Sequence, residues 1–133
     1  MTMASPKSNP RMKSGRTALC RRVKALGEPC WMCGLPIDPT RKAGDPLSFE
    51  LDELVPVSKG GDPVDWYNVK ASHRLCNQWR QAKSVGAVVA MREEARKLYG
   101  GWRTPIEFVS MMRSVKGKAR VAVKRPSKSS GTI

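Results

Sequence analysis

Apolar residues recur along this chain in short, interrupted groups whose spacing predicts an α+β arrangement. Leu19, Val23 and Leu26 repeat at helical intervals, so a short helix is expected over residues 16–26, with Gly27 ending it. Residues 49–57 are apolar and bounded by turn-forming residues, which predicts a strand, and 58–63 read as a loop rich in Gly, Ser and Pro. Residues 68–72 read as a short extended segment. From 73 to about 83 the pattern suits a helix, with Leu75 and Trp79 four apart on one face. A second helix is expected over 85–99, closed by Gly100 and Gly101. Thr104, Pro105 and Glu107 form a capping-box signature for a third, running to about 114. The centre of the chain therefore reads strand, loop, strand, helix: a ββα unit followed by helices.

The ends read differently. Residues 1–16 are rich in Lys, Arg, Ser, Pro and Gly and are expected to be a flexible basic arm. Residues 115–133 set Lys116, Lys118, Arg120, Lys124, Arg125 and Lys128 among small residues and are expected to be a disordered basic tail. Between them, 17–114 form one domain, with its core at about 30–83 and a helical extension at 84–114. A chain of 133 residues fits that single domain.

Charge narrows the partners. The formal net charge is +14, which favours nucleic acid first and an anionic membrane surface second. No apolar run approaches the roughly 20 residues that span a bilayer, so a spanning segment is not expected. The opening residues lack the apolar stretch of a secretory signal, which predicts a cytoplasmic protein. In a reducing compartment, closely spaced cysteines point to metal rather than disulfides.

Cys30 and Cys33 form a C-x-x-C pair, and His73 and Cys76 repeat that spacing at the start of a predicted helix. A structural zinc site takes four thiolate or imidazole ligands at tetrahedral corners. The knuckle supplies two from one turn, and positions i and i+3 of a helix share a face and supply the others. Cys30, Cys33, His73 and Cys76 are thus expected to bind one structural Zn²⁺, closing a large loop that contains both strands. Cys20 is the rival fourth ligand, but lies mid-helix, where a small packing residue is expected. A staple suits a chain this small, whose core alone is modest.

Between the halves of this staple runs Leu51-Asp52-Glu53-Leu54-Val55-Pro56-Val57-Ser58-Lys59-Gly60-Gly61, followed by Asn68, His73-Arg74-Leu75-Cys76-Asn77 and Lys83. In order and spacing the segment resembles the HNH endonuclease family, and more closely the short HNH proteins that tailed phages encode near their terminase genes. The resemblance covers about 30–83. It implies a ββα-metal core and a metal-dependent DNA endonuclease, one that aids a terminase during genome packaging in the host bacterial cytoplasm. It implies that Asp52 and Asn77 hold a catalytic divalent ion and that Asn68 braces the loop. Glu53 stands where the family has its general-base histidine, and the chain's single histidine, His73, is taken by the zinc set. Glu53 is therefore expected either to activate water or to be a further metal ligand.

A carboxylate with an amide oxygen suits a hard ion such as Mg²⁺ or Mn²⁺. Water attacks phosphorus in line, and the resemblance implies 5′-phosphate and 3′-hydroxyl products. Lys59, Arg74, Arg80 and Lys83 are the candidate phosphate contacts. Trp31, Trp66, Trp79 and Trp102 are expected to pack rather than stack on bases. The missing family histidine leaves an alternative: a zinc-stapled DNA-binding or packaging-adaptor protein whose nuclease centre has decayed.

Overall fold

A computed structural model describes the backbone over residues 10–124 and the side chains over 14–115. The first helix, α1 (Pro10–Leu26), begins well before the expected residue 16. Proline is tolerated there, because the first helical N–H has no partner to lose. The predicted arm of 1–16 therefore overlaps a helix from 10 onward, and 1–9 lie outside the described residues. Leu19 and Val23 are buried as the spacing requires, whereas Leu26, in the last turn, is exposed.

A long irregular loop leads to strand β1 (Phe49–Glu53), which pairs antiparallel with β2 (Val69–His73), setting Leu51 opposite Ala71 and Asp52 opposite Lys70. β1 stops short of the predicted residue 57. Leu54 N–H still reaches Asn68 O at 2.8 Å, but Val55 N–H turns to the Asn68 side chain and Pro56 has no donor to offer. Short 3₁₀ turns at Val57–Lys59 and Trp66–Asn68 complete the connection.

Helix α2 (Arg74–Arg80) follows directly and is shorter than the predicted 73–83. Gln81 takes a positive φ of 51° and its N–H closes on Asn77 O, ending the helix. Helix α3 (Val85–Tyr99) has the predicted bounds, with Ser84 accepting from Ala87 N–H at 3.1 Å and Gly100 left-handed at its end. Helix α4 (Pro105–Lys124) starts as predicted. Thr104 Oγ1 caps Glu107 N–H at 3.0 Å, while the Glu107 carboxylate reaches one residue further back, to Arg103 N–H at 2.7 Å. α4 continues past the expected end at 114. Phe108, Met112 and Val115 repeat on one buried face, so the helix must run through Val115 to close the core. The predicted tail thus begins as helix, and 125–133 lie outside the described residues.

Two buried clusters follow from the alternation of side chains on the sheet. Leu51, Val69 and Ala71 face α1 and pack with Leu19 and Val23. The larger cluster joins the cysteine knuckle to the helices, through Met32, Cys76, Trp79, Val88, Ala95, Phe108 and Met112. The Phe108 ring lies edge-on to both Trp79 and Trp102. No helix among the described residues is long and apolar enough to cross a membrane.

Candidate functional site

The knuckle is built by backbone before any metal is considered. Gly34 N–H closes the turn on Cys30 O at 2.8 Å, and Gly34 takes the positive φ that such a turn needs. Trp31 N–H bonds to Ala71 O at 3.0 Å, which docks the knuckle against β2. Trp102 Nε1–H donates to Cys33 O at 2.8 Å and ties it to the helical extension. From the other side, His73 ends β2 and caps α2, and Cys76 lies within α2's first turn.

The ligand atoms of Cys30, Cys33, His73 and Cys76 consequently lie within 4.8 Å of one another, all four residues buried. A tetrahedron of zinc–sulfur bonds of about 2.3 Å has edges of roughly 3.8 Å, so the set can close on one ion with small adjustments. His73 Nδ1 is 3.4 Å from Cys33 Sγ and 4.0 Å from Cys76 Sγ. Its Nε2–H points to Pro36 O at 3.0 Å, and a carbonyl only accepts, so Nδ1 is the nitrogen left to face the sulfurs and to meet an ion once its proton is lost. Cys20 is a free, half-buried thiol outside the set.

The electrostatics of the four groups match a cation site. Hydrogen bonds from Cys33 and Cys76 hold the Cys30 thiol far below its ordinary value, so it carries the first negative charge. The bonds to Cys30 and Cys33 push Cys76 far up, because a second thiolate beside the first is opposed. Burial pulls His73 down, but its bonds to Cys30 and Cys33 and their charge outweigh that and raise it to about 10. Three sulfurs and an imidazole share too few positive charges, and a divalent ion supplies them.

Beside this centre lies a seam between β1 and α2. Residues two apart on a strand share a face, so Glu50 and Asp52 both point at α2. Asp52 is buried, and its Oδ2 accepts from Trp31 Nε1–H at 2.8 Å and from Arg80 Nη1–H at 2.7 Å. Burial pushes the Asp52 carboxyl above the ordinary value, while the Trp31 bond and Arg80 pull it back. Glu50 stands at the open end of the seam. Its Oε1 accepts from Asn77 Nδ2–H at 2.9 Å and its Oε2 from Arg74 Nη1–H at 3.2 Å.

Glu53 does not share that seam. It points to the opposite face of the sheet, where its Oε2 lies 2.5 Å from Arg16 Nη1 of α1. Asp52 and Glu53, adjacent in sequence, are thus parted by the pleat, and the carboxylate beside Asn77 is Glu50. Sequence reasoning passed over Glu50; the period-two alternation from Asp52 was the signal that pointed to it.

The candidate phosphate contacts are largely engaged. Arg80 is 1% exposed; besides Asp52 it donates to Glu53 O, Leu54 O and Lys83 O, and its guanidinium lies 5.1 Å from the Trp31 ring centre. It cannot reach a phosphate, and the expectation that it binds DNA is corrected. A guanidinium carries five donors, and this buried one spends four of them holding β1 and the end of α2 together. Lys83 Nζ–H donates to Trp79 O at 2.9 Å, capping α2's last carbonyls. Lys59 Nζ–H reaches Ala82 O at 3.1 Å but its side chain is exposed. Arg74 is half-buried on Glu50. Asn68 accepts from Val55 N–H and donates to Val55 O and Asp62 O, all within 3.0 Å, so it holds the β1–β2 loop closed.

These features define a small α+β protein with a buried Cys₃His cluster that can hold a structural metal such as zinc. No family model, curated protein or solved structure matches the chain.

Proposed function

We propose that the chain is a metal-dependent DNA endonuclease of the HNH type, stapled by zinc at Cys30, Cys33, His73 and Cys76. One observation carries the reading. The two strands and α2 follow one another as the motif requires, and they bring Asp52, Glu50 and Asn77 to a single seam beside the cysteine cluster. A Mg²⁺ or Mn²⁺ ion bound there supplies charge stabilisation for the phosphate and the departing 3′ oxygen. Asp52 and Asn77 would hold it. Asp52 is suited to that role because Trp31 and Arg80 both bond to Oδ2 and so orient Oδ1. The Asn77 amide would offer its oxygen. Glu50, rather than Glu53, stands where it can accept a proton from the attacking water, and Arg74 beside it can meet the phosphate.

The net charge of +14 supports a polyanionic substrate. The likeness to phage-encoded proteins extends the reading to genome packaging with a terminase. A second reading, a zinc-stapled binding or adaptor protein, has its own support. Arg80 already neutralises Asp52, and the chain has no histidine to spare for a base.

Supercoiled plasmid incubated with and without Mg²⁺ or Mn²⁺ separates the two. The expected result is metal-dependent nicking or linearisation, reduced at least roughly 100-fold in Asp52→Asn and Glu50→Gln, in line with general-base contributions. Plasmid left intact by the parent protein with either ion sinks the nuclease reading in favour of the adaptor.

A further inference from the structure

The residues first suited to gripping DNA are mostly occupied, yet the chain presents another cationic face with an aromatic group in its midst. Helix α1 carries Arg11, Lys13, Arg16, Arg21, Arg22 and Lys24 and not one acid. Arg16 is spent on Glu53 and on backbone carbonyls, whereas Arg21, Arg22 and Lys24 are exposed. Arg22 lies 4.2 Å from the ring centre of Trp66, in the turn before β2. The next residue, Tyr67, is the most exposed large hydrophobic residue described, at 84%. Its backbone is held by Asp65, whose carboxylate accepts Tyr67 N–H at 3.0 Å, so the ring stands on a fixed turn. Below it a cavity of about 200 Å³ is lined by Val23, Glu28, Trp66, Tyr67, Val69 and Lys70. Lys70 is exposed on β2. Arg22 therefore stands beside Trp66, and the exposed Tyr67 ring borders the hollow that Trp66 also lines.

We propose that α1 and the turn before β2 form a binding surface for single-stranded DNA, with phosphates on Arg21, Arg22 and Lys24 and a base stacked on Tyr67 over the cavity. A duplex keeps its bases paired inside and gains only from the cations, whereas an unpaired base has a free π face for Tyr67. Glu28 at the cavity wall is the single carboxylate in that lining and can accept from a base amino group. The inference rests on the DNA partner of the reading above, not on its cleavage chemistry. It makes α1, rather than α2, the element that grips the strand.

The test is fluorescence anisotropy of the full zinc-loaded chain with a labelled oligonucleotide of about 20 nucleotides, long enough to cover one such surface, single-stranded or annealed, without Mg²⁺ or Mn²⁺. The single strand should bind more tightly than the duplex. Tyr67→Ala should weaken single-strand binding by roughly ten-fold to a hundred-fold, and Tyr67→Phe should restore it, since stacking needs the ring and not the hydroxyl. The triple variant Arg21→Ala, Arg22→Ala, Lys24→Ala should lower the slope of log affinity against log salt by about two, each lost phosphate contact removing roughly 0.7. Equal affinity for duplex with no effect of Tyr67→Ala overturns the proposal. So does an unchanged triple variant, or binding to phosphatidylserine vesicles that the oligonucleotide does not compete away. A plasmid that stays uncut while the oligonucleotide binds counts against the nuclease alone.

Discussion

Arg80 shows how far a single side chain can depart from its expected role. In the sequence it is one cation among 25, set between Trp79 and Gln81 near the end of a predicted helix. In the structure it is 1% exposed and joins Asp52, two β1-end carbonyls and Lys83 O. Removing one partner of a buried ion pair strands the other charge, which typically costs about 3–5 kcal/mol. Arg80→Met should lose about that much in urea unfolding of the metal-loaded chain. It should also raise the Asp52 pKa further, because Arg80 is one of the influences holding it down. A carboxyl whose folded pKa lies above its unfolded value binds protons more tightly when folded, so its contribution falls as pH rises through that interval. Arg80→Met widens the interval, and its stability deficit should grow as pH rises from the ordinary carboxylate range; ¹³C titration of Asp52 alongside urea melts checks both. A deficit that is flat with pH, and an Asp52 titration that does not move, would deny Arg80 this role.

At the scale of elements, the β1–β2 connection decides whether the seam exists. Its closure rests on Asn68, whose amide spans Val55 and Asp62, and on Gly61, whose N–H bonds to Pro56 O at 2.9 Å. Gly61 is packed so closely against the Val55 carbonyl that an added Cβ would overlap backbone, which cannot swing away as a side-chain tip can. Gly61→Ala should therefore displace the loop, at a cost of about 1–3 kcal/mol, the range for overpacking. Amide exchange should quicken at Val55, whose N–H is held by Asn68. Gly86→Ala, at an α3 position whose added Cβ would meet only the Ser84 hydroxyl at 4.0 Å, is the control and should leave the loop protected. Helix ends were the other place where elements departed from expectation. α2 ends at Arg80 because Gln81 takes a positive φ, and α4 runs on because Val115 is needed in the core. Periodicity marked where helices lie; tertiary contacts set where they stop.

For the molecule as a whole, the four-ligand cluster joins the knuckle to α2 across a sequence separation of some forty residues, as between Cys33 and His73. Elemental analysis should find about one zinc per chain, and chelation or Cys76→Ser should abolish it and unfold the domain cooperatively. Proton linkage gives the pH dependence. His73, raised to about 10 before an ion enters, and the Cys76 thiol, pushed far up, must both surrender protons to bind zinc. Zinc added near pH 7 in weak buffer should therefore release protons, and affinity should fall steeply with acid. Without the ion the sign is opposite for His73. Its folded pKa lies above the ordinary 6.5, so it stabilises the fold below 6.5 and that gain is lost as pH rises through about 10. A chain that melts identically with and without chelator would remove the staple from the account.

Cysteine and histidine spacing marked the metal cluster, because a C-x-x-C turn and an H-x-x-C pair at a helix start each present two ligands on one side. A short apolar run bounded by turn residues, and the 3.6 period after it, likewise marked the strand–strand–helix order. Chain order alone did not say which acid meets which partner. Asp52 and Glu53 are neighbours in the chain, yet the pleat sends one under α2 and the other to α1, while Glu50 and Asn77, 27 positions apart, touch. That choice was made only when the sheet was covered on both faces, because burial and hydrogen bonding, not adjacency, decide where a charge can rest.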